Sequence, residues 1–256
     1  TNFIITIDQG PWDIGFQTSY ITISGIQQQP YVFLRNGYVP SNFFQDKTST
    51  DDITYWEEGS YTMPQGTSKI LSEGEGSFDW DSTAYNMILV NETETFLDDH
   101  LDQYGHGDDN TTPFFTYVAL GSVHGPHSPP TKYMDDTLID GQHPTKHLDM
   151  LSELDKVVGS LVSLLESRDL IQDTIILFTS DNGGLGRKTG SQKAGHKSNG
   201  ILRSAKGSIY EGGHRVPFTL RWDNGHIPKG QERSSHFVGL NDVYATICDF
   251  VNITLP

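Results

Sequence analysis

The sequence has 256 residues, 35% of them hydrophobic, 11% aromatic and 20% charged, which is the make-up of a folded domain with a sizeable core and excludes a disordered chain. Lys and Arg number 17 against 33 Asp and Glu, a formal charge of −16 that argues against a general nucleic-acid binder. The one cysteine, Cys248, excludes an intrachain disulfide and a cysteine cage for a metal, and no apolar run approaches the roughly 18 residues of a membrane span.

No repeat, proline-rich linker or low-complexity tract divides the chain, so it reads as one domain. It opens at Thr1 without Met or a signal-like segment and closes at Pro256 directly after a helical pattern, the look of a piece cut from a longer protein. The first 40 residues are loop-rich and aromatic, with a short hairpin expected at Tyr31–Val39. Residues 41–80, rich in Gly, Ser, Thr and acids, read as a long surface excursion. Ser82–Leu101 has Tyr85, Ile88, Leu89, Phe96 and Leu97 at helical spacing, with Asp81 or Ser82 as cap. Phe114–Leu120 is a compact apolar run and predicts a buried strand. His147–Leu170 is the clearest helix, with Leu148, Leu151, Leu154, Val158, Leu161 and Leu165 as its apolar stripe. Thr174–Thr179 (TIILFT) has the two-faced apolar pattern of a strand inside a parallel sheet. Val216–Trp222 is a further strand and Asp242–Val251 a closing helix. This alternation predicts an α/β layered fold with its working loops at the carboxyl ends of strands.

Three loops carry residues suited to chemistry. TIILFT runs into Ser180-Asp181-Asn182-Gly183-Gly184, which sets a carboxylate and an amide oxygen in a turn at a strand end. Hard cations such as Ca²⁺ or Mg²⁺ take such oxygens, although Asp-Asn-Gly-Gly is also ordinary turn chemistry. FFTYVAL ends in Gly-Ser-Val-His124-Gly-Pro-His127-Ser-Pro-Pro; a histidine there can move a proton near neutral pH, and the prolines stiffen its surroundings. Residues 187–206 hold six of the 17 basic residues and no acid, a local cationic loop in an acidic chain that suggests an anionic ligand. Beyond it, glycine-dense turns flank Lys206, a point charge suited to a compact anionic oxygen. His143, His147, His226 and His236 lack comparable context and read as surface residues.

These stretches, in this order, resemble the sulfatases of the alkaline phosphatase superfamily. The match is densest from Asn199 to Pro217, which follows the form Asn-Gly-x-Leu-Arg-x-x-Lys-Gly-x-x-x-Glu-Gly-Gly-x-Arg-Val-Pro. Gly15-Phe16, Pro30-Tyr31-Val32-Phe33 and Leu240–Thr246 are similar to other segments of that family. The resemblance implies an α/β/α sandwich with a mostly parallel central sheet, here incomplete at its amino-terminal side. It implies that Asp181 and Asn182 are ligands to a divalent cation, usually Ca²⁺, that Lys206 contacts the sulfate oxygens, and that His124 assists departure of the alcohol at the ester oxygen. Arg203, Glu211 and Arg215 match the motif too, and ion pairing that shapes the loop is the expected job for them.

The sequence departs from the family in what it lacks. The nucleophile of that family is a formylglycine made within a Cys/Ser-x-Pro-x-Arg motif, which this chain does not contain; Cys248 sits in the apolar pattern of the closing helix as a packing residue. The family's early aspartate pair is absent as well, since Gln9 follows Asp8. Gly15-Phe16-Gln17 stands where Gly-Phe-Asp is frequent. The chain therefore reads as the later part, residues 1–256, of a sulfatase catalytic domain, acting in full length on a sulfated small molecule or sulfated glycan and inactive alone. Two other readings stay open: a phosphodiester or phosphonate hydrolase of the same superfamily, and a non-catalytic module that binds sulfated glycans. Sequons at Asn91, Asn110 and Asn252 give weak support to a glycoprotein of the secretory route.

Overall fold

The computed structural model describes residues 9–38, 53–105, 112–186, 190–225, 227, 230 and 238–254. Strand β1 (Tyr20–Thr22) pairs antiparallel with β2 (Phe33–Arg35), and Arg35 then bridges to Tyr38 around an Asn36-Gly37 turn. Both turn residues have positive φ, 50° and 86°, the geometry for which Asn-Gly is the favoured pair. The expected hairpin is thus a tight tip on β2, while the longer partner of β2 lies upstream; Val39 falls outside the described residues.

Residues 41–52 of the expected surface excursion lie outside the described residues, and residues 53–77 form a nested pair of ribbons. β3 (Ile53–Trp56) pairs with β6 (Gly74–Ser77), and β4 (Gly59–Met63) pairs with β5 (Gly66–Ile70), all antiparallel. Glycine, read as loop composition, here serves close approach. A Cβ on Gly76 would run into the Tyr31 side chain, and it is across Gly76 that Tyr31 bridges β6, donating to the Glu75 carbonyl at 2.9 Å. Tyr31, Phe33, Trp80 and Tyr85 stack in tilted contacts with centroids 5.1–6.4 Å apart, and Trp56, Ile70 and Val157 complete the main core. Each of these side chains contributes roughly 1.5–3 kcal/mol by leaving water.

Helix α1 spans Tyr85–Tyr104. It starts three residues later than expected, because the Asp81 carboxylate turns onto the Thr83 amide (2.9 Å) and hydroxyl (2.6 Å) and holds 81–84 as a turn. Helix α2 spans Lys146–Glu166, capped by Thr145, whose hydroxyl accepts from the Leu148 amide. Only the second half of the expected stripe faces inward, with Leu165 buried and Leu161 packed on the core; in the first half His147, Met150, Glu153 and Val157 are inside, whereas Leu151 is exposed and Leu148, Leu154 and Val158 are half-buried. There the face is rotated by about one position because polar residues with distant partners occupy it.

Two strand expectations also change. Phe114–Leu120 joins no ladder among the described residues, and Phe115 and Tyr117 are exposed. β7 (Ile176–Thr179) is half-buried throughout and pairs antiparallel with β8 (Phe218–Arg221), so the parallel neighbours expected for it are not among the described residues. A second cluster of Leu97, Leu165 and Ile171, with Phe114 and Ile176 against it, joins α1, α2 and β7. A four-residue helix α3 (Glu211–His214) follows the lysine loop, and α4 (Leu240–Phe250) closes the chain with Cys248 buried, as expected of a packing residue.

Candidate active site

At the carboxyl end of β7, Asp181 is exposed and Asn182 half-buried. The Asn182 amide nitrogen donates to the Gly183 carbonyl at 3.1 Å, which leaves its side-chain oxygen as the group that can serve as a ligand. Among the described residues, Asp181 receives only a long 3.4 Å bond, from the Ser180 hydroxyl. A carboxylate and an amide oxygen therefore stand available at one turn. That fits part of the oxygen shell of a hard cation, which takes about 6–8 ligands for Ca²⁺. Among the described residues no three His, Cys, Asp or Glu gather as a metal site, so this pair is a partial shell.

The lysine loop is fastened to that turn by backbone. The Lys206 amide donates to the Gly184 carbonyl and the Gly183 amide to the Gly213 carbonyl, both at 3.0 Å. Asn199 adds a two-way clasp, accepting from the Gly184 amide at 2.8 Å and donating to the Gly184 and Ser204 carbonyls. Close approach requires glycine here: a Cβ on Gly183 would strike the Gly212 carbonyl, one on Gly212 the Ser204 carbonyl, and one on Gly213 the Ser208 carbonyl. Lys206 is left exposed on this frame. Arg215 pairs with Glu211 at 3.0 Å, the ion pairing expected of them, whereas the Arg203 guanidinium lies 3.6 Å over the Tyr210 ring and among the described residues makes no ion pair.

His124 lies on the other side, in the turn after Leu120. Its Nδ1 is 2.8 Å from the Gly125 carbonyl and its amide donates to the Gly121 carbonyl at 2.9 Å. A ring nitrogen facing a carbonyl must carry the proton, which leaves Nε2 as the nitrogen that exchanges one. The contacts of His124 do not reach Asp181 or Lys206 directly. The two sides meet instead through a histidine row that motif reading missed. His127 and His147 are edge-to-face at 5.2 Å between centroids, and His147 and His196 are 6.1 Å apart. His147, expected at the surface, is 4% exposed, and its Nδ1 lies 3.1 Å from the Ser191 hydroxyl, which also meets Thr145. Burial, with His127 and His196 beside it, pulls His147 down to about 4; burial, Lys69 and His124 lower His127. His143 instead accompanies the buried Asp149 at 3.1 Å, and His226 and His236, with Arg187 and Lys188 of the basic loop, lie outside the described residues.

The model of the Sulfatase family matches residues 15–253. The chain belongs to the sulfatase family. Among sulfatases, it is similar to the N-acetylgalactosamine-6-O-sulfatase of Bacteroides thetaiotaomicron, 25% identical over 100% of this chain and 52% of that protein. An arylsulfatase of Hemicentrotus pulcherrimus is 33% identical over 64% of this chain and 27% of its own length. A solved Bacteroides thetaiotaomicron 6S-sulfatase from a locus for glycosaminoglycan metabolism superposes with a TM-score of 0.74 at 23% identity, covering 100% of this chain and 55% of that one. The α/β architecture is thus the sulfatase fold. The chain spans about half the length of that curated Bacteroides relative and less of the others. Among the described residues, no helix is long and apolar enough to cross a membrane.

Proposed function

We propose that this chain is the later part of a sulfatase catalytic domain and that it supplies the sulfate-oxygen and leaving-group sides of a site that hydrolyses sulfate esters. The observation that carries the reading is the backbone fastening of the Asp181-Asn182 turn to the Lys206 loop, through Lys206 to Gly184 and Gly183 to Gly213. It joins two oxygen donors and a lysine on one rigid frame, a combination suited to a tetrahedral oxyanion.

In this reading Asp181 and Asn182 hold a divalent cation, Ca²⁺ or Mg²⁺, which when bound offsets charge on the sulfate oxygens. Lys206 binds a sulfate oxygen through its ammonium group. His124 as an imidazolium gives the Nε2 proton to the ester oxygen as the sulfur–oxygen bond breaks, and keeps the Nδ1 proton on the Gly125 carbonyl. The nucleophile, a formylglycine by family resemblance, comes from a segment outside this sequence, which contains no Cys/Ser-x-Pro-x-Arg motif. The substrate class we infer is a sulfated glycan. The named specificity of the Bacteroides relative supports a sulfated sugar, and the solved complex of Ps i-CgsB with k-i-k-neocarrahexaose (TM-score 0.53, 26% identical, covering 75% of this chain and 38% of that one) supports an oligosaccharide. Exposed Lys193 and Lys197 on the basic loop add positive charge suited to such a polyanion.

The experiment measures hydrolysis of an activated aryl sulfate and of a sugar sulfate by a protein that carries this chain together with its nucleophile segment. Asp181→Ala should abolish both calorimetric cation binding and turnover. Lys206→Ala should raise KM and lower kcat/KM on both esters. His124→Ala should cost about 10²–10⁴-fold on the sugar sulfate and much less on the aryl ester, whose phenolate departs without a proton. Retained activity in Asp181→Ala removes the cation from this turn, and equal losses on both esters remove His124 from the leaving group.

A further inference from the structure

The His124 loop is held by a polar network whose two buried members, Asn86 and Glu153, lie outside every motif. Asn86, in the first turn of α1, and Glu153, midway along α2, are 3% and 2% exposed. The Asn86 side-chain oxygen accepts from the Gly121 amide at 2.8 Å. Its amide nitrogen donates to the Ser122 hydroxyl at 2.7 Å and to Glu153 Oε1 at 3.0 Å. The Ser122 hydroxyl in turn donates to Glu153 Oε2 at 2.8 Å. Gly121 is thereby fixed at its amide, and its carbonyl receives the His124 amide. Two helices thus set where His124 stands through one residue on each.

We propose that Asn86 and Glu153 are positioning residues for His124, holding the turn from which its imidazole reaches the ester oxygen. Chemistry favours this over a role in stability alone. A carboxylate at the junction of two helices costs several kcal/mol to desolvate, and an apolar side chain of similar volume would serve packing better. Burial raises the pKa of Glu153, the Asn86 and Ser122 bonds oppose that rise, and among the described residues no cation acts on it. Both carboxylate oxygens are spent on groups that fix residues 121 and 122. Asn86 is likewise suited, since an amide alone among side chains of its size accepts from a backbone amide and donates twice. The inference rests on the reading of His124 given above.

The test uses Glu153→Gln and Ser122→Ala in the active protein, each alone and combined with His124→Ala. Glu153→Gln removes one acceptor without changing shape; Ser122→Ala deletes a single half-buried hydroxyl and keeps the variant set usable if Glu153→Gln fails to fold. Each single change should lower kcat on the sugar sulfate about 10–100-fold with little change in KM and a much smaller loss on the aryl sulfate. Neither should lower activity further once His124 is alanine. Equal losses on both esters, or losses that add fully to that of His124→Ala, would overturn the proposal. Histidine-imidazole NMR on the same variants reads the His124 ring without turnover. Its resonances should move while those of exposed His214 stay; an unmoved His124 ring refutes positioning even where His124 proves to have no part in hydrolysis.

Discussion

The two sides of the proposed site are held by opposite means. On the Asp181 and Lys206 side, backbone grips backbone: four glycines let two turns interlock, and the functional side chains project from a frame they do not help to build. On the His124 side the loop has few backbone bonds of its own, and side chains from α1 and α2 fix it. The first device is local and is spelled out by glycine spacing. The second is dispersed over residues 86, 121, 122 and 153. Both flanks carry a motif, but on one the support lies within the motif and on the other it comes from Asn86 and Glu153 outside it.

The comparison breaks most sharply at the glycines. Gly183→Ala forces a Cβ against the Gly212 carbonyl, a backbone atom of the facing turn that cannot step aside, and should cost about 3 kcal/mol or more. Urea melts read that loss, and an unchanged midpoint would mean that the two turns are not interlocked.

The next effect separates the histidine row joining the flanks from the flanks themselves. Above pH 6.5 His147 is neutral whether the chain is folded or not. Between about 6.5 and 4 the unfolded chain binds a proton that the folded chain refuses, so stability falls as pH is lowered through that window and levels off below it. His147→Gln should flatten this part of the pH–stability curve. Matching slopes in parent and variant, from denaturant melts at pH 7 and pH 4.5, would show that the row does not couple to folding.

The smallest expected change concerns the α2 cap. Thr145→Ala removes the bond to the Leu148 amide and the one to the Ser191 hydroxyl, and should cost about 1 kcal/mol in the same melts. A loss confined to stability, with sugar-sulfate hydrolysis unaltered, would separate the start of α2 from the network around Glu153.

The legibility of the molecule follows from the same contrast. The lysine loop could be read because its glycines mark close approach at fixed spacing, and the turn after β7 because Asp-Asn-Gly-Gly ends an apolar strand. α1 and α2 were legible as helices from their period. The inner face of α2 was legible only at Leu161 and Leu165, since in its first half apolar periodicity selects Leu148, Leu151, Leu154 and Val158, whereas His147 and Glu153 are buried by partners 44 and 67 positions away. Nothing local announces such partners. β3 to β6 were hidden for a related reason: Gly, Ser and Thr are loop residues by composition, yet Gly74 and Gly76 admit neighbouring chain, and Ser68 shares a buried hydrogen bond with Ser82. The run at 114–120 shows the reverse, an apolar strand pattern whose ladder is not among the described residues.

The two long helices are pinned to one another at two separate points. Near the start of α1, Asn86 meets Glu153. Twelve residues on, roughly 18 Å along the axis, Asp98 accepts from Arg168 Nε at 2.7 Å and Glu94 from its Nη2 at 3.2 Å, just past the end of α2. Because both crossings advance along both helices, α1 and α2 run the same way. A single crossing leaves each rod free to roll about its own axis; two of them, spaced by more than three helical turns, oppose rolling and sliding together, the inner one through a buried hydrogen bond and the outer one through solvent-exposed carboxylates of modest strength.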